Sequence, residues 1–198
     1  MSTELINKEE KSPQMRRFAD LAKLGEVLFH ADDLANLWGI VNKNTLHVTL
    51  KRYVDTGLLF RIYKGFYSLK PISQVDPLLL GQKALHGYAY VSTETVLAEK
   101  GIIGQSLNAV TLVSGRTKHF SIGTNRYFSR TLADKFLYQN SGITTKENGL
   151  RAASTERAVA DLLYFNPRAH LDGAALVDWE KVAILQRELG YPLTKQKV

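Results

Sequence analysis

The chain has no cysteine among its 198 residues. Disulfide frameworks, zinc–thiolate centres and cysteine nucleophiles are excluded together, and the composition suits a reducing cytosol. Long apolar runs are missing too. The opening stretch, MSTELINKEEKSPQMRRF, is polar and charged and lacks the apolar segment of a signal peptide. No run approaches the length needed to cross a bilayer. These absences predict a soluble, cytoplasmic protein with no membrane partner. Histidine is sparse, and His30, His47, His86, His119 and His170 show no metal-ligand spacing. The sequence contains no G-x-S-x-G elbow, P-loop or G-x-G-x-x-G fingerprint. Gly101-Ile-Ile-Gly104 is too short and apolar to cradle a phosphate. The expectation is therefore no catalytic residue, no metal and no cofactor.

Acidic residues are the other shortage. There are 19 Asp and Glu against 26 Lys and Arg, for a formal charge of +7. Polyanions are the natural partners of such a chain, although charge alone is a weak guide. Two windows hold most of the excess. From Asn36 to Pro71 six cations face only Asp55, and from Arg116 to Lys135 five cations face only Asp134. What the chain does have in quantity is apolar surface: 44% hydrophobic residues suffice for a core in one domain or two small ones.

The pattern predicts a flexible tail over residues 1–13 and a winged helix-turn-helix over 14–70. Helical spacing runs from Gln14 to Leu24, with Phe18, Leu21 and Leu24 on one side. Val27, Leu28 and Phe29 are extended. A short helix from Ala31 to Trp38 follows, with Leu34, Leu37 and Trp38 inward and Asp32 and Asp33 in its first turn. Gly39 breaks it. Asn42 caps the next helix, which stops before Gly57. Leu58 to Tyr63 and Phe66 to Leu69 form a hairpin around the turn Lys64-Gly65. Residues 71–198 form a mixed α/β C-terminal domain, which makes the whole α+β. Its expected elements are helices over 78–85, 92–99, 154–164 and 178–189, and strands over 88–91, 110–113, 119–122 and 127–131.

The helix after Asn42 carries the functional argument. Its inward stripe is Leu46, Leu50, Tyr53 and Val54. Asn44, Val48, Lys51 and Asp55 lie opposite, His47 flanks one side, Thr45 and Arg52 the other, and Lys43 sits at the start. A helix in the DNA major groove needs this mixture of cations, amide and one apolar group. Arg61 and Lys64 on or beside the hairpin would meet the backbone. The competing reading is a solvated face of a basic protein. The second window, Arg116, Lys118, Arg126 and Arg130, is open between an extended DNA surface, a contact to an acidic partner and scattered solubilising charge. Glu94 with Glu99, or Glu156 with Asp161, could be imagined as a metal-nuclease pair, but five-residue spacing in a helix puts them on diverging faces. Arg157 and Asp161 read as a surface ion pair of little energetic weight.

Three segments resemble the AbiEi-type family of antitoxins and transcriptional regulators from type IV toxin–antitoxin systems. R-I-Y-K-G-F-Y from Arg61 is similar to that family's R-x-x-R/K-G-x-Y wing. Y-V-S-T-E-T-V-L from Tyr90 matches its Y-I-S-x-x-S-A-L strand and helix. S-T-E-R-A-V-A-D-L-L from Ser154 resembles its S/T-P-E-R-A-L-x-D-L-L helix, with Thr155 where proline is common. The resemblance implies a repressor that binds double-stranded DNA at its own promoter. It also implies an antitoxin domain partnered with a nucleotidyltransferase-like toxin. The chain ends soon after Tyr191, which implies a reduced C-terminal domain. The alternatives are a stand-alone winged-helix transcriptional regulator and a nucleic-acid-processing enzyme.

Overall fold

A computed structural model describes residues 13–104 and 108–194. The molecule is mixed α and β, with two sheets. Its chain divides into two compact units between Lys70 and Pro71. The expected tail lies outside the described residues except for Pro13, which opens the first helix.

In the first unit the order is α1 (Pro13–Lys23), β1 (Leu28–His30), α2 (Ala31–Trp38), α3 (Lys43–Asp55), β2 (Phe60–Tyr63) and β3 (Phe66–Ser68). Local chemistry sets most of these boundaries. Gly39 ends α2 at φ +62°, a left-handed conformation that glycine adopts at little cost. The Asn42 side chain accepts hydrogen bonds from the Asn44 and Thr45 amides at 2.9 and 3.1 Å and starts α3. Gly65, at φ +84°, turns β2 into β3. The strands pair antiparallel in the order β1-β3-β2, so β3 is central and all three of its residues are buried. The core joins Leu21, Phe29, Leu34, Leu46, Leu50, Tyr53, Leu59 and Tyr67. Trp38 stacks on Tyr53 with ring centroids 5.4 Å apart. Two side-chain bonds tie α1 down: Tyr53 Oη donates to the Gln14 carbonyl at 2.8 Å and Trp38 Nε1 to that of Arg17 at 3.3 Å. Leu24 and Leu37, expected inward, are exposed. Leu24 lies just past the end of α1 and Leu37 in the last turn of α2, where the apolar stripe runs off the packed surface.

The second unit holds α4 (Pro77–Ala84), β4 (Ala89–Val91), α5 (Glu94–Glu99), β5 (Val110–Ser114), β6 (Lys118–Ile122), β7 (Asn125–Thr131), α6 (Asp134–Leu137), β8 (Ile143–Thr145), β9 (Arg151–Ala153), α7 (Thr155–Phe165) and α8 (Trp179–Leu189). The sheet order is β6-β7-β5-β4-β9-β8, parallel at β5/β7 and β4/β9 and antiparallel elsewhere. Helices meet both faces. On one side a Cβ at Gly81 of α4 would fall 2.3 Å from the Tyr127 ring, so only glycine lets α4 approach β7 this closely. Burial pushes the Tyr127 hydroxyl up to about 12, and it donates to the Pro77 carbonyl at 3.0 Å. On the other side Arg130 of β7 reaches Glu94 of α5 and the Phe165 ring of α7. The helix expected over 92–99, capped by Ser92 or Thr93, begins at Glu94, with Thr93 at the N-cap position at φ +53° and without a side-chain cap bond. The short elements α6, β8 and β9 have no counterpart in the sequence reading.

Candidate nucleic-acid interface

Helix α3 separates its two faces cleanly. Leu46, Leu50 and Tyr53 are buried and Val54 is half-buried. Lys43, Asn44, Thr45, His47, Val48, Lys51 and Arg52 are all exposed. Val48 is 51% exposed, and Val41, in the turn just before the cap, is 95% exposed. Two apolar side chains in water on an otherwise polar surface are the unusual feature here; single exposed ones are common. Lys51 Nζ lies 2.6 Å from Asp55 Oδ2, so the one acid on this face is neutralised by a cation of the same face.

The hairpin exposes Arg61 and Lys64, together with Phe60 and Tyr63. Its turn is anchored: the Gly65 carbonyl accepts a hydrogen bond from the Ala31 amide at 2.9 Å, at the first residue of α2. The Tyr63 ring rests 5.1 Å from Phe66. Val41, Phe60 and Tyr63 were not among the residues singled out in the sequence. An apolar residue inside the Gly39 to Asn42 turn is the signal that points to Val41.

The second basic window does not behave as one patch. Arg130 clamps Glu94 in a two-pronged pair, Nη1 to Oε2 at 2.6 Å and Nη2 to Oε1 at 2.5 Å, and also donates to Thr93 Oγ1 at 2.9 Å. Burial alone would raise the Glu94 carboxyl. The bonds from Arg130 and Thr93 outweigh it and hold the carboxyl below its usual range. Arg116 donates through Nη2 to the Leu85 carbonyl and lines a cleft of about 230 Å³ with His86, Tyr88 and Tyr138. Arg116 stays exposed despite that bond, as do Lys118, over the Phe120 ring at 5.2 Å, and Arg126, so Arg130 alone of the four is drawn inward.

The pair Arg157 and Asp161 overturns the surface reading. Both side chains are 0% exposed. Asp161 accepts from Arg157 Nε (2.9 Å), Tyr191 Oη (2.9 Å), Tyr90 Oη (3.0 Å) and Ser92 Oγ (2.8 Å). Arg157 donates further to Tyr90 Oη and to the carbonyls of Gln139 and Ser141. The i, i+4 spacing is the same in water and in a core, and α7 is buried continuously from Arg157 to Leu163. Burial pushes the Tyr90 and Tyr191 hydroxyls up, with the Asp161 charge adding to it. Burial opposes the Arg157 charge, but Asp161 beside it wins, and the guanidinium is held more firmly than usual. One carboxylate of each pair weighed as a nuclease site is thus taken: Glu94 is clamped by Arg130 and Asp161 accepts four hydrogen bonds. Gly104 N–H donates to Asp172 Oδ2 at 2.7 Å, so a carboxylate occupies that amide. Among the described residues no three His, Asp or Glu side chains cluster as a metal site would need. No described helix is long and apolar enough to cross a membrane.

No family model matches the chain, and no curated protein does. Among solved structures, the crystal structure of the RV2827C protein from Mycobacterium tuberculosis is similar over 90% of this chain and 67% of its own, at 12% identity and a TM-score of 0.46. At that likeness nothing transfers from it.

Proposed function

We propose that the chain is a sequence-specific DNA-binding protein whose first unit is a winged helix-turn-helix. In this reading α2, the Gly39 to Asn42 turn and α3 form the helix-turn-helix, and the β2–β3 hairpin is the wing. Helix α3 meets the major groove with the face formed by Lys43, Asn44, Thr45, His47, Val48, Lys51 and Arg52, on which Lys51 is paired with Asp55. Arg61 and Lys64 meet the backbone. The observation that carries the reading is the α3 face itself: every residue needed for groove contact is exposed, and its one carboxylate is neutralised in place. The anchored turn keeps the wing short, so its contact is with phosphate near the groove edge.

The biological role we propose is repression of its own promoter as the antitoxin of a type IV toxin–antitoxin pair, with a nucleotidyltransferase-like toxin as protein partner. This part rests on the three family-like segments. Fluorescence anisotropy tests the DNA reading, with the chain's own upstream duplex and a scrambled one across a salt series. Selective binding with a steep salt slope is expected; equal, weak binding to both would reduce the basic face to general electrostatics. Loss of growth rescue when the chain is co-expressed with a toxin encoded beside it would remove the antitoxin half and leave a repressor.

A further inference from the structure

We propose that the centre of the α3 face selects A·T base pairs, with Val48 against a thymine methyl and Asn44 bonded across an adenine. This deepens the DNA-binding reading and rests on it. The argument starts from which groups on the outward stripe are still available. At 100° per residue Asn44 and Val48 lie one turn apart and within 40° of each other on the exposed side. Lys51 shares that stripe and is its natural reader of guanine O6 and N7, but its ammonium is held 2.6 Å from Asp55 Oδ2. The cation and the carboxylate satisfy each other, which leaves an amide and an isopropyl group at the centre. An amide can bridge adenine N6 and N7, and an exposed branched apolar group finds its complement in the C5 methyl of thymine. Val41 repeats the pattern at the N-terminal end, 95% exposed beside the Asn42 cap. A solvated helix gains nothing from exposed valines. A helix in an A·T-rich groove buries them.

The test begins with selection of a bound site from a randomised duplex library using the full chain. Single thymines in that site are then replaced by deoxyuridine, which removes only the C5 methyl. The expected site has A·T pairs at its centre. At one thymine the replacement weakens the wild type about fourfold, the effect of one buried methyl group. Val48→Ala binds the thymine duplex about as weakly as the wild type binds the uracil duplex, and does not distinguish the two. Asn44→Ala loses the adenine preference at a neighbouring position. Both residues are exposed, so neither change disturbs the core. A selected site with a G·C centre, or wild-type binding indifferent to every uracil replacement, overturns the proposal while leaving DNA binding intact. Absence of binding to any duplex overturns both readings.

Discussion

Two ion pairs in this protein share a spacing and differ in everything else. Lys51 and Asp55 sit one turn apart on α3 with side chains 77% and 56% exposed; Arg157 and Asp161 sit one turn apart on α7 with both at 0%. In water the first pair is screened and worth a few tenths of a kcal/mol. Inside the second unit the charges have lost their hydration, and the loss is offset only because tyrosine, serine and backbone carbonyl groups complete the hydrogen bonding around them. The first unit keeps its pair in solvent on α3. The second buries its pair, which ties α7 to β4, to the 139–141 loop and to Tyr191 beyond α8. The difference separates a solvent-exposed face, which we propose serves recognition, from a buried network that holds α7 in place.

The largest effect comes from breaking the buried pair. Asp161→Ala leaves the buried Arg157 guanidinium without its counter-charge and should cost about 3–5 kcal/mol. The chain has two tryptophans, and Trp179 lies in the second unit, so urea denaturation followed by fluorescence in a Trp38→Phe background reports that unit. The double replacement Arg157→Met with Asp161→Leu should lose less than either single change, because no charge is left unpaired. A loss below about 1 kcal/mol for Asp161→Ala would mean that the buried pair contributes no more than an exposed one.

The same contrast explains how much could be read without a structure. In the first unit the punctuation is local and chemical: Asn42, Gly39 and Gly65 each need only their neighbours to act, and α2, α3 and the hairpin fall where they direct. The outward residues of α3 follow from helical period alone. In the second unit the decisive facts are non-local. Strand β9 is three residues long and joins β4 in parallel through the single pairing Val91 with Ala152. A three-residue strand or the four-residue α6 is too short to display a period. Arg130 reads as a free cation until α5 brings Glu94 to it, and Arg157 reads as a surface residue until Tyr90, Tyr191 and the Gln139 and Ser141 carbonyls surround it. Charge in a sequence has no address; burial depends on what the rest of the chain places beside it.

On the recognition side the effects are smaller and fall on binding. Asn44→Ala should cost about 1–3 kcal/mol of specific affinity with no change in stability. Lys64→Ala should weaken binding to every duplex alike and reduce the salt slope by about one, as expected for one lost phosphate contact. A sequence-selective loss at Lys64 would assign base reading to the hairpin instead.

The Glu94–Arg130 clamp lies between the two extremes, and pH isolates it. The Glu94 carboxyl is held low in the folded chain, so its contribution is complete above the unfolded value of about 4.3 and is lost as pH falls through the lower folded value. Glu94→Gln should therefore destabilise the second unit at neutral pH and make its acid unfolding less steep. An unchanged acid profile would show that the clamp carries no pH-dependent stability.

The smallest effect on the fold and the most telling one on function belong to the exposed pair. Asp55→Ala should change stability by no more than about 0.5 kcal/mol, since both partners stay hydrated when separated. Its consequence, under the proposed DNA-binding function, lies in the groove. Removing the carboxylate deletes the only acid of the α3 face and releases the Lys51 ammonium to a phosphate or a guanine. DNA binding should tighten, its salt slope should rise by about one, and preference for A·T at the centre should relax. Lys51→Ala, by contrast, should cost little affinity, because in the native chain that ammonium is already engaged. If Asp55→Ala weakens binding, the pair positions Lys51 for contact with DNA, and the exposed ion pair then has an ordering role like that of its buried counterpart.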